Sequence, residues 1–139
     1  MRDEVDDLVE AWGRERGDLD LAPVAVFSRI SRLARHLDLA RRVAFTAHGI
    51  ESWEFDVLAA LRRAGQPYEL SPGRLLRETL VTSGTMTNRV DRLTADGKAA
   101  VDGAFEALLA AEADLLADLS DRDRTQLAGL LRSLLAPFS

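Results

Sequence analysis

Cysteine is absent from the 139 residues, which excludes a disulfide framework and any thiolate metal site. Histidine occurs only as His36 and His48, too far apart in sequence to form a local ligand pair. His48 has Glu51 three residues on, but two ligands fall short of a closed tetrahedral site, so neither a metal nor another cofactor is expected. No apolar run approaches bilayer length. The first residues, MRDEVDDLVE, are acidic and lack the apolar core of a signal peptide, so the expectation is a cytoplasmic chain without a membrane partner. Aromatics are scarce at 6%, and there are only four prolines.

What is present is Ala, Leu, Arg and Glu, all strong helix formers, in a chain that is 47% hydrophobic. That suits one all-helical domain over residues 1–139. The formal net charge of −5 argues against a generic nucleic-acid coat, yet the charge is unevenly spread. Residues 1–20 hold eight acids against three arginines, whereas 71–98 hold five bases against three acids, so a local basic surface on an acidic body is compatible with the total.

Hydrophobic periodicity and cap signals predict seven helical segments. The first runs from Asp3 to Arg16 with Val5, Leu8 and Trp12 on one face. The second runs from Pro23 to Thr46, and the third from Ser52, read as its N-cap, to Ala64. Ser71-Pro72 opens a fourth that ends near Thr79, since serine caps and proline is preorganised for the first helical position. A fifth spans Ser83 to Leu93, a sixth Lys98 to Asp118, and Ser120 caps a seventh that ends near Leu135.

The fourth and fifth segments, LSPGRLLRETLVTSGTMTNRVDRL, form a helix-turn-helix candidate. At about 100° per residue Met86, Val90 and Leu93 share one face suited to docking. Thr85, Asn88 and Arg92 fall on the other side, where such side chains read base edges, and Ser83 stands at the start of the same helix. Arg74 and Arg77 on the preceding helix are placed to hold phosphates. The blander reading of the same pattern is an amphipathic helix with a solvated face.

The same run, with the downstream LTADGKAAVDGAFEALL, closely resembles the winged-helix core of the MarR family, the multiple antibiotic resistance regulators. The resemblance implies a mainly α fold with a winged helix-turn-helix lobe on a helical dimerisation body. It assigns residues 1–49 and 98–139 to the body and 52–93 to the lobe. The implied partners are palindromic double-stranded DNA and a second copy of the chain.

One element departs from the family pattern. The wing, a β-hairpin after the recognition helix, has no room between Leu93 and Lys98, although two strands and a turn need on the order of two dozen residues. So clean an excision reads as a hairpin missing from these 139 residues, with a natural deletion as the alternative.

A narrower resemblance, carried by the extra N-terminal helix with its Trp and by WEFDVL, is to the family's urate-responsive branch. It implies a small-molecule effector pocket at Trp12, Asp56 and Arg89. A polar amide that the branch places after the aspartate is replaced here by Ala64, which favours a small aromatic or anionic effector over urate itself. Asp56 has no cation three or four residues away on its own helix, so if buried it needs a tertiary partner. Arg89, which borders the docked face of the recognition helix, is the expected one; the alternative is an exposed Asp56 with Arg89 on a phosphate.

No nucleophile motif or phosphate loop is present, and Asp6-Asp7 reads as a solvated pair, so no enzyme is expected. The function expected from the sequence is a homodimeric transcriptional regulator, a repressor released by a small ligand. The alternative is a wingless interaction module that pairs with an intact relative.

Overall fold

In the computed structural model, which describes residues 1–79 and 94–139, every extended regular element is a helix. Asp3 lies in extended backbone, and its carboxylate accepts from the amides of Val5 and Asp6 while the Asp6 side chain accepts from the Asp3 amide. This reciprocal capping box starts α1 (Glu4–Glu15). Helices α2 (Ala22–Thr46), α3 (Ser52–Arg63), α4 (Pro72–Glu78), α5 (Ala95–Leu115) and α6 (Asp121–Leu135) follow, with a 3-10 turn over Ala136–Phe138. The predicted helix over 83–93 lies outside the described residues.

Helices α1 and α2 start within one residue of their prediction, and the starts of α3 and α5 differ in ways that their caps explain. The sequence points to Ser52 as the N-cap of α3, but Glu51 takes that position in a reciprocal box with Glu54. Ser52 becomes the first helical residue, and its hydroxyl is buried without a hydrogen-bond partner among the described residues. A glutamate that both caps and is answered three residues on satisfies more orphan amides than the serine does alone. Helix α5 starts at Ala95 rather than Lys98, because the Thr94 hydroxyl accepts from the Gly97 amide at 3.0 Å. The caps read at Ser71 and Ser120 are both formed, on the amides of Arg74 and Asp123.

The chain divides into two compact units, Met1–Ala40 and Arg41–Ser139. In the first, charges pin α1 to α2. The Arg29 guanidinium donates to Asp3 at 2.9 Å and to Asp6 at 3.0 Å, and Arg32 donates to Glu4 at 2.7 Å. The hydrogen bond from Arg29, reinforced by the Asp6 amide, holds the Asp3 carboxyl down at about 2. A carboxyl whose folded value lies below its unfolded one stabilises the fold above the unfolded value and loses that contribution as pH falls through the folded one. The docking of α1 should therefore weaken between about pH 4 and pH 2. The Trp12 fluorescence of wild type is expected to change in that window, and the same change in Arg29→Met would exclude Asp3 as its source.

The second unit holds two apolar clusters. Ala44, Phe45 and Ile50 from the end of α2 and the turn after it meet Phe55 of α3 and Val101, Ala104 and Leu108 of α5. Here Phe45 and Phe55 stack with centroids 4.1 Å apart. Val57, Ala60 and Leu61 on the other side of α3 meet Leu70 and Leu75, which seats α4. Helix α3 thus has buried residues on two faces and joins both clusters. The turn between α2 and α3 contains Gly49 at φ +72, a conformation that a side chain would strain. At Gly103 on α5 the need for glycine is one of space, since an added Cβ would stand 2.8 Å from the His48 ring.

Candidate functional site

Arg74 and Arg77 occupy the short helix α4, which is anchored by the fully buried Leu75. One helical turn apart, they share its outer face, and both are exposed. Arg74 donates to Glu78 at 2.7 Å, whereas Arg77 has no ion pair among the described residues. A phosphate arriving at this face would meet Arg77 directly and would have to share Arg74 with Glu78. The predicted base-contacting residues Ser83, Thr85, Asn88 and Arg92 lie outside the described residues, as does Arg89.

Of the residues that the resemblance implies for an effector pocket, Trp12 and Asp56 fall in different compact units and are described separately. Trp12 is 50% exposed on α1, in a shallow groove with Leu8, Ala11 and Glu15. An indole so open has apolar surface to offer a ligand or a protein partner.

Asp56 is partly buried on α3 and does have a cationic partner: Arg41, near the end of α2, donates to it from Nη2 at 2.9 Å. Both side chains are 31% exposed. The Arg41 guanidinium lies 5.0 Å from the centroid of Phe45 and 5.6 Å from that of Phe55, above the stacked pair. The charge is thus held by a carboxylate on one side and by aromatic quadrupoles beneath.

Sequence reasoning missed this partner because it searched the neighbours of Asp56 on its own helix and then the recognition helix. The available signal was Arg41 one turn before Phe45 in RRVAF, matched by the aromatic-acid pair in EFD. Such an arginine lies over the phenylalanine's face of the helix and can reach whatever packs on that ring.

A second feature lies between α3 and α5. Phe55, Ala59, Val101 and Phe105 wall a small groove of about 200 Å³, with Arg62, Arg63 and Asp102 at its edge. Arg62 donates to Asp102 at 3.0 Å and also lies 5.5 Å from the Tyr68 ring centroid. Lys98, on the first turn of α5, stands 5.3 Å from the same centroid. These contacts tie α3, the segment before α4 and α5 into one frame. Among the described residues there is no cluster of His, Asp and Glu able to hold a metal, and no helix long and apolar enough to cross a membrane.

The MarR family pattern matches residues 48–98, from the turn before α3 to the first turn of α5. The HTH-type transcriptional regulator PecS of Dickeya dadantii (strain 3937) is 32% identical over 150 residues, a span covering 92% of this chain and 90% of that protein. Since 92% of 139 residues is about 128, roughly 22 of the 150 aligned positions have no residue of this chain, close to the size of a wing hairpin with its turns. A helical frame of this order, a pattern match centred on α3 and α4, and an alignment over nearly the whole relative lead to one assignment: the chain belongs to the MarR family.

Proposed function

We propose that this protein is a homodimeric DNA-binding transcriptional regulator, a repressor released by a small aromatic or anionic ligand. The observation that carries the reading is the 32% identity to a helix-turn-helix transcriptional regulator across 90% of that protein's length. In this reading residues 52–93 form the DNA-binding lobe, with α4 as the bracing helix and 83–93 as the reading helix. Arg92, Asn88, Thr85 and Ser83 contact bases, and Arg74 and Arg77 contact phosphates. Residues 1–49 and 98–139 form the dimer body. Two reading helices related by a twofold axis fit half-sites about one DNA turn apart.

The test is selection of bound fragments from random duplex DNA, followed by titration of the recovered site. A palindrome with half-sites one turn apart is the expected result, and recovery of no preferred sequence would sink the reading. On that site Arg92→Ala is expected to lose about 1–3 kcal/mol if Arg92 reads a base. Unchanged affinity would remove it from the contact set.

A second reading is favoured by one observation, the four residues between Leu93 and Lys98 where a wing needs on the order of two dozen. A chain lacking its wing has fewer cations for phosphates and the minor groove, and therefore a flatter salt dependence of DNA binding. Such a protein would act by pairing with a winged relative and titrating it. A shallow salt slope for the homodimer, together with subunit exchange into a winged relative, would put this reading ahead.

A further inference from the structure

Tyr68 lies in the connection between α3 and α4, partly buried against the cluster of Val57, Ala60, Leu61, Leu70 and Leu75 that seats α4. Two cations stand at its ring, the Arg62 guanidinium 5.5 Å and the Lys98 ammonium 5.3 Å from the centroid. Arg62 is in the last turn of α3 and Lys98 in the first turn of α5. Lys98 has a carboxylate one helical turn on, at Asp102, where the two would ordinarily pair. Arg62 takes that carboxylate at 3.0 Å instead. Lys98 makes no ion pair among the described residues and is left to the aromatic ring. The backbone of Tyr68 adds a separate observation. Its φ is +59, a left-handed conformation that glycine or asparagine adopts at low cost and a ring-bearing residue does not. Such strain persists where surrounding contacts over-determine the residue, and here the described contacts are those of the ring.

We propose that Tyr68 is a positioning residue for operator binding: by holding Arg62 and Lys98 at one ring it fixes the first turn of α5 against the seat of α4, and so sets the half-site spacing that the protein accepts. The proposal rests on the reading of the protein as a dimeric DNA-binding regulator. In that reading α5 belongs to the dimer body and α4 braces the reading helix. A change of angle between them therefore moves each reading helix along the DNA. A lobe released from the clamp samples several orientations, and its affinity falls by the fraction of time it spends aligned. With each lobe aligned about one third of the time, two lobes together lose about tenfold.

The test titrates the selected operator, and versions with one base pair added to or removed from its spacer, with wild type and three variants. Tyr68→Leu should bind the native spacing about tenfold more weakly, equivalent to about 1.4 kcal/mol. It should bind the altered spacings within about twofold of wild type, so that discrimination between spacings collapses. Tyr68→Phe should keep the discrimination, because the ring face remains. Lys98→Met should behave as Tyr68→Leu does while keeping the wild-type salt slope, since Lys98 acts on the ring and not on a phosphate. Hydrogen exchange of the free protein reads the clamp without DNA. Amides 99–102 should exchange faster in Tyr68→Leu and Lys98→Met, and as in wild type in Tyr68→Phe. Circular dichroism melts separate loss of positioning from loss of fold, and Lys98→Met carries the test if Tyr68→Leu does not fold.

Spacing discrimination that survives in a folded Tyr68→Leu would overturn the proposal, as would its loss in Tyr68→Phe. A salt slope lower by about one in Lys98→Met would make Lys98 a phosphate contact and overturn it as well. Absence of operator binding by wild type, with the exchange pattern intact, would overturn the regulator reading and keep the clamp. Equal exchange in Tyr68→Leu and Tyr68→Phe would overturn the clamp and keep the regulator.

Discussion

Leu130→Asp combined with Leu134→Asp is expected to convert the proposed homodimer to a monomer and to reduce operator affinity by about 10²- to 10⁴-fold, the gain that linking two half-site contacts provides. Helix α6 has no buried residue, yet Leu127, Leu130, Leu131 and Leu134 repeat at helical spacing along it, 38%, 58%, 37% and 43% exposed. A stripe of that width on an amphipathic helix calls for an apolar surface to cover it. Phe105 and Leu109 of α5, each 49% exposed, present further uncovered apolar surface. A twofold interface repeats each substitution, so the double variant places four carboxylates where apolar surfaces meet. Even with most of the charges reached by water, a combined cost of about 4 kcal/mol makes the proposed dimer dissociate on the order of a thousandfold more readily. Sedimentation equilibrium measures the first effect and operator titration the second. Because both leucines are exposed in the single chain, the far-ultraviolet circular dichroism should persist. A double variant that remains dimeric would remove α6 from the interface.

What could be read from the sequence divides according to the range of the interaction. The starts of α4 and α6 depend on a serine and the amides of the next few residues, and both were legible at Ser71 and Ser120. The start of α3 was read one residue late, because Glu51 is a weaker cap by type than Ser52 and prevails only through its reciprocal bond with Glu54. The start of α5 was read three residues late, although the chemistry of Thr94 as a cap was sufficient to place it. For the candidate site, the placement of Arg74 and Arg77 on α4 was legible from the Ser71-Pro72 start, but the Glu78 partner of Arg74 was overlooked although it lies one turn away. The Arg41–Asp56 pair joins two helices through a tertiary contact. Periodicity places each residue on the correct face of its own helix but carries no information about which face of another helix arrives there.

Phe45→Ala is expected to lose about 3–5 kcal/mol of folding stability, among the largest costs for a single truncation. Phe45 is fully buried and stacked on Phe55, in the cluster that brings the end of α2 together with α3 and α5. Truncation removes the transfer energy of the ring, leaves a cavity between helices and deprives Arg41 of its nearer aromatic partner, 5.0 Å below it. The loss should appear as a lower midpoint in urea unfolding with little change in slope, since the surface exposed on unfolding is nearly unchanged. Arg41→Met provides the comparison. Its thioether stem keeps the cover over the rings while the half-exposed charge pair is lost, so its cost should stay below about 1 kcal/mol. If both variants unfold with the same large loss, the ion pair is as necessary to the frame as the ring beneath it. A large difference between the two assigns the stability of this junction to the stacked rings rather than to the charge pair above them.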